Sequence, residues 1–125
     1  MNDATNNVNP AHPLEGLWQP VYAEFNGEEA PRMVLQKMEV ELVAGKYTVR
    51  FGGETSDHGT YEIDEIGLTL YGVTGPNAGR TIPSIFKFAG GALSICYGLS
   101  GERPEKFATA SGQQLYLVNY HRKDS

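Results

Sequence analysis

The chain has 125 residues, 40% hydrophobic and 20% charged, with a formal net charge of −5 and a single cysteine. That is the length and balance of one folded domain with a real core, too few cysteines for an internal disulfide. The ten Lys and Arg are scattered singly, apart from Arg122-Lys123, which argues against nucleic acid as a partner because neutralising phosphates needs clustered positive charge.

Residues 1–13 carry four Asn and two Pro and little hydrophobicity, and they read as a disordered leader. They lack an apolar stretch and basic flanks, so a signal peptide is not expected. No apolar run approaches the ~18 residues of a membrane span. With the lone Cys96 pointing to a reducing compartment, a cytoplasmic protein without membrane contact is expected.

The domain is expected over residues 14–123. Its first strand covers residues 14–25. Trp18, Tyr22 and Glu24 share one parity there, subject to a bulge at Pro20, which cannot donate to a ladder. Asn26-Gly27 is a strong turn signal. Residues 28–38 hold the one candidate helix. Glu28 and Glu29 favour its start, Pro31 suits a first helical position, and Met33, Val34 and Met38 make a short apolar patch. A helix of about two turns is unstable alone, so it must pack on something, such as one end of a barrel.

Strict two-residue alternation follows, in Glu39-Val40-Glu41-Leu42-Val43 and again in Tyr47-Thr48-Val49-Arg50-Phe51. Gly52-Gly53 and Ser56-Asp57 read as loop chemistry. Strands are then expected at residues 60–63, 68–71, 81–88 and 92–97, with turns at Asp64-Glu65 and Gly90-Gly91. Residues 98–111 read as a long polar loop containing Phe107. Leu115-Tyr116-Leu117-Val118-Asn119-Tyr120-His121-Arg122 is the densest β-forming run and the last strand.

Eight alternating strands joined mostly by short turns predict an all-β fold. The expected form is an eight-stranded antiparallel up-and-down β-barrel with one short helix, the last strand closing on the first. A two-sheet sandwich is the structural alternative.

Two resemblances accompany that pattern. Gly16-Leu17-Trp18 near the start and Arg122 near the end resemble the Gly-x-Trp and Arg of lipocalins and related calycins. The resemblance implies that Arg122 stacks on Trp18 where the barrel is closed. From about residue 14 to 122 the chain also resembles a bacterial family of small lipocalin-like domains, frequent in planctomycetes, to which no established activity attaches. The matching pieces include Leu14-Glu15-Gly16-Leu17-Trp18, Gly45-Lys46-Tyr47-Thr48-Val49 and Gly59-Thr60-Tyr61. They continue with Gly75-Pro76-Asn77-Ala78-Gly79-Arg80-Thr81, Leu93-Ser94-Ile95-Cys96-Tyr97, and Arg103-Pro104 with Phe107. Asp64-Glu65-Ile66-Gly67 departs from the family, where this stretch is usually longer. The resemblance implies a barrel and brings no catalytic residues.

Site chemistry is sparse. His12, His58 and His121 have no metal-ligand spacing, and no metal or cofactor is expected. Cys96 lies mid-strand without an electropositive neighbour in sequence and reads as a small buried hydrophobe. Ser84 and Ser94 are strand residues outside any nucleophile motif. The loop ending in Arg80 lacks the Gly-Lys-Ser/Thr of a phosphate loop.

The seven tyrosines are the better signal. Tyr22, Glu24, Tyr47, Tyr61, Phe86, Tyr97 and Asn119 are expected to line the barrel interior as a mostly apolar pocket with a few polar groups. The preferred function is non-catalytic binding of a small, partly hydrophobic ligand. One alternative is a cofactor-free isomerase, cyclase or hydrolase using Glu24, its pKa raised by burial, with the tyrosines. Another is a structural or protein-interaction module with a filled barrel.

Overall fold

A computed structural model describes residues 13–123. The expected leader, apart from Pro13, lies outside the described residues. The elements run β1 (Gly16–Phe25), β2 (Glu28–Glu29), α1 (Arg32–Gln36), β3 (Met38–Val43), β4 (Lys46–Phe51) and β5 (Glu54–Ile63). They continue with β6 (Leu68–Thr74), β7 (Thr81–Ala89), β8 (Ala92–Gly98) and β9 (Leu115–Arg122).

From β3 to β9 each strand pairs antiparallel with the next, β1 pairs with β3, and β9 closes the ring by pairing with β1. The result is the expected closed eight-stranded barrel, with β2 as a two-residue addition to β1. Closure removes free edges from the strands that form it. No helix among the described residues is long and apolar enough to cross a membrane.

Turn chemistry explains the register. Asn26-Gly27, Ala44-Gly45, Gly52-Gly53 and Gly90-Gly91 all have positive φ at both positions. Two such residues make a turn whose twist matches that of the flanking strands. Short turns after β3, β5 and β7 crowd one end of the barrel, together with Gly16 and Arg122. The loops after β6 and β8, and the excursion from β1 to β3, gather at the other end.

The crowded end is closed. The Trp18 ring is 1% exposed, and the Arg122 guanidinium carbon lies 4.2 Å from its centroid. The Trp18 Nε1–H donates to the Leu14 carbonyl at 2.8 Å. Arg122 donates to the carbonyls of Glu15 (2.7 Å) and Pro13 (2.8 Å), tying the start of the domain to its last strand. A Cβ at Gly16, whose φ is +137°, would run into the Arg122 guanidinium. That close approach is why glycine stands there.

The helix is shorter than expected. Glu28 and Glu29 are extended and pair with Phe25 and Glu24, and Met38 already opens β3. Only Arg32–Gln36 is helical, and Pro31 caps it instead of occupying its first turn. Pairing within the hairpin wins over two acidic residues' weak preference for a helix start. Met33 is 73% exposed and Val34 40%, while Leu35 is buried in the core. The helix packs on β1, which pairs with β3 only at Gly16, Leu17 and Trp18. The Gln19 Nε2–H group donates to the Leu35 carbonyl at 2.8 Å and fastens the helix there.

Residues 100–114 strap the outside of the barrel. Arg103 donates to the Ser84 carbonyl (2.6 Å), the Leu68 carbonyl (3.2 Å) and Thr69 Oγ1 (3.1 Å). Lys87 lies 4.6 Å from the Phe107 ring centroid. Cys96 is fully buried, and burial pushes its thiol pKa up, which keeps it protonated and inert.

Candidate functional site

The barrel is not filled. A cavity of about 250 Å³ occupies its interior, reaching towards the end that carries the longer loops. Its walls are mainly aliphatic, from residues such as Val40, Leu42, Leu70, Ile82, Ile95 and Val118.

The polar groups come from three places. β4 and β5 contribute Tyr47, Asp57 and Tyr61, and the loop after β6 contributes Asn77. β8 and β9 contribute Tyr97, Tyr116 and Tyr120. Asp57 is 7% exposed. Its Oδ2 accepts from the Asn77 side-chain amide at 2.8 Å and from the Tyr47 hydroxyl at 3.3 Å. Its Oδ1 accepts a long bond, 3.4 Å, from the Asn77 backbone N–H. The Tyr97 and Tyr120 hydroxyls form a 2.7 Å hydrogen bond with each other. The Tyr97 and Tyr116 rings stack at 5.7 Å.

Burial pushes the pKa values of Tyr47, Tyr61, Tyr97, Tyr116 and Tyr120 up, and the negative charge of Asp57 adds to the effect at Tyr47. These side chains therefore stay neutral phenols at physiological pH and can serve as hydrogen-bond donors. A consequence concerns alkaline stability. The unfolded chain loses its tyrosine protons near pH ~10, while the folded chain still holds them, so the folded state binds more protons above that pH. The contribution of these tyrosines to stability is expected to be level below about pH 10 and to fall above it, by up to ~1.4 kcal/mol per pH unit for each of them. Denaturant titrations at stepped pH, with phenolate absorbance followed alongside, check this. Phenolate absorbance from the still-folded protein beyond that of the two outward tyrosines, Tyr22 and Tyr71, would contradict it.

Tyr47, Tyr61 and Tyr97 meet in the cavity. Tyr22, Glu24, Phe86 and Asn119 do not, and the reasons are specific. Register shifts between Pro20 and Tyr22, so Val21 bulges. That reverses the parity of β1, turning Tyr22 and Glu24 outward and Ala23 inward. On the outer face the Tyr22 hydroxyl donates to Glu24, and Thr109 of the strap donates to Glu24 at 2.7 Å. Those two hydrogen bonds hold the Glu24 carboxyl below its usual pKa. The alternative in which Glu24 acts as acid or base needs an interior carboxyl with a raised pKa, and Glu24 is neither interior nor raised.

Asn119 is outward because it pairs with Tyr22 and accepts from Ser94 at 2.9 Å. Its neighbours Val118 and Tyr120 take the inner face. Phe86 keeps the inner parity of β7 but packs edge-on to Phe88, whose ring lies 6.2 Å from Trp18. It belongs to the closed end, outside the cavity wall.

Four polar cavity groups escaped the sequence reading: Asp57, Asn77, Tyr116 and Tyr120. Ser56-Asp57 looked like loop, yet β5 begins at Glu54 and Ser56 is the extra residue of a bulge opposite β4. Alternation carried upstream from Tyr61 through Gly59 reaches Asp57, so a signal was present. Tyr120 had one too, since it shares the parity of Arg122. Asn77 had none, because a loop folded back over a barrel mouth carries no periodicity.

Comparisons with family models, with curated proteins and with solved structures found no match to this chain.

The loop that brings Asn77 to Asp57 fits closely. A Cβ on Gly75 (φ +93°) would lie 2.8 Å from both the Cα and Oδ1 of Asp57. A Cβ on Gly59 would lie 2.6 Å from the Tyr47 ring. The carboxylate is thus held by close backbone packing as well as by hydrogen bonds. No group of three or more His, Cys, Asp or Glu side chains placed to hold a metal occurs among the described residues.

Proposed function

We propose that this chain is a small-molecule-binding, lipocalin-like domain that holds a small, partly hydrophobic ligand inside its barrel. The observation that carries the proposal is the cavity of about 250 Å³, with aliphatic walls and a few convergent polar groups. That is the composition of ligand sites, although drug-sized pockets run to ~300–1,000 Å³, so the ligand is small. The resemblance to bacterial lipocalin-like domains and the closed end formed by Gly16, Trp18 and Arg122 support the barrel in which such a ligand would sit. A cytoplasmic location and the absence of a cofactor belong to the same proposal.

The test is native mass spectrometry of the purified protein, joined to a thermal-shift screen of small amphiphiles. A ligand at a hundred times its Kd should stabilise the fold by about 2.7 kcal/mol. Ile95→Trp, which places an indole in the cavity, should remove the response. A screen in which nothing raises Tm, or in which Ile95→Trp responds as fully as the parent chain, would rule the proposal out.

Catalysis is a second reading, and a specific arrangement favours it. Asp57 and the Tyr97–Tyr120 pair border one cavity. In such a site Asp57 would take a proton from the carbon next to a ligand carbonyl, and the electron pair would pass to the carbonyl oxygen. With a β,γ-unsaturated ketone as ligand, a tyrosine hydroxyl would hold the resulting dienolate oxygen, and the proton would return at the γ-carbon as the double bond moves into conjugation. Solvent-deuterium exchange into a bound ketone, lost in Asp57→Asn, is the expected sign. Exchange undiminished by that change would remove this reading.

A further inference from the structure

We infer that the ligand of this cavity carries a protonated amine, seated on the Asp57 carboxylate among tyrosine rings, on an apolar body about the size of one small ring. The inference rests on the proposed binding role and adds the chemical class of the ligand.

The charges of the wall come first. Among the described residues that line the cavity, Asp57 is the one with a formal charge, and Lys, Arg and His are absent. A ligand carboxylate or phosphate would find no cation to hold it and would face Asp57. Burying an unpaired charge is costly. The net charge of −5 on the whole chain also favours the approach of cations over anions.

The second observation is how Asp57 is satisfied. Its described partners, the Tyr47 hydroxyl and the two Asn77 groups, are neutral donors, and no described cation pairs with it. A carboxylate has about four acceptor sites. Those partners use three, and the one on Oδ1 is long, at 3.4 Å. One acceptor position of the carboxylate has no described protein donor. A cation there would also compensate a carboxylate that is almost out of water, where charge pairing is strongest.

The third is the aromatic surface. Tyr47, Tyr61, Tyr97, Tyr116 and Tyr120 all reach the cavity. The faces of aromatic rings attract cations, ammonium groups included, and that attraction grows when water is excluded. A carboxylate bonded to Tyr47 in a cavity lined by four more tyrosines is therefore suited to ammonium and ill suited to an anion.

Size bounds the rest of the ligand. An apolar cavity of ~150 Å³ admits benzene. At about 250 Å³, this one has room for a single ring and a short arm.

Three matched probes test the inference: phenethylamine, phenethyl alcohol and hydrocinnamate. They share a ring and arm and differ in ending as cation, neutral hydroxyl and anion. Calorimetric titration at neutral pH should show phenethylamine binding at least ~ten-fold tighter than the alcohol, with the anion weakest. Asp57→Asn should erase that preference, bringing the affinity for phenethylamine down to that for the alcohol. The probe series on the unsubstituted chain decides the matter even if Asp57→Asn folds poorly. An alcohol or anion that binds as tightly as the amine would overturn the inference and leave small-molecule binding standing. No binding by any of the three would also overturn it. The broader binding role is decided separately, by the thermal-shift screen and its Ile95→Trp control.

Discussion

Trp18→Ala is expected to destabilise the fold by about 3–5 kcal/mol, the cost typical of deleting a large, fully buried aromatic. A domain of this kind has only ~5–15 kcal/mol in total. Three losses coincide at this position. The indole hydrogen bond to the Leu14 carbonyl disappears. Arg122 loses the ring it lies over. A second void opens in a barrel that already contains one. Arg122→Ala removes the cation and its bonds to Glu15 and Pro13 but leaves the ring in place, so about 1–2 kcal/mol is expected. Urea unfolding followed by circular dichroism measures both. The two residues touch, so the double variant should lose less than the sum of the single losses. Additive losses would mean that the two do not act together in closing the barrel.

Gly75→Ala should cost about 2–4 kcal/mol and weaken ligand binding at the same time. The φ of +93° is one that an L-residue rarely adopts, and the new methyl group would press on Asp57 and the Ser56 carbonyl. The loop can relieve that pressure only by lifting away, which takes Asn77 off the carboxylate. Gly79→Ala provides the control within the same loop. Its φ is +79°, and a Cβ there would meet nothing within 4 Å. It should show the conformational cost alone, about 1 kcal/mol, and leave ligand affinity intact. Equal effects at the two positions would show that the packing of Gly75 against Asp57 is unimportant.

The contrast between these sites shows what a linear reading could reach. The Trp18–Arg122 pair was visible because a residue near each end of the domain matched a known pattern and closure followed from counting strands. Tyr47, Tyr61 and Tyr97 were visible because each lies within an uninterrupted alternating run, where parity alone sets the face. Tyr22 and Glu24 were misplaced because Val21 adds one residue, and one residue turns every later side chain over. Asn119 was misplaced although Arg122, three positions on, already implied the correct parity. Asp57 was hidden by its neighbours, since Ser-Asp-His-Gly has the composition of a loop.

Composition, alternation and turn residues by themselves determined an all-β domain of eight main strands, its hairpins, and an interior rich in tyrosine. Those features depend on neighbours one or two residues apart, and such signals survive in a linear string. The tertiary structure alone decided that the barrel retains a cavity, that Asp57 rather than Glu24 is its carboxylate, and that a loop folds back to place Asn77 on it. Each of those depends on a bulge, a close backbone approach or the sum of packed volumes. They are long-range balances of packing against backbone geometry, which no local pattern encodes.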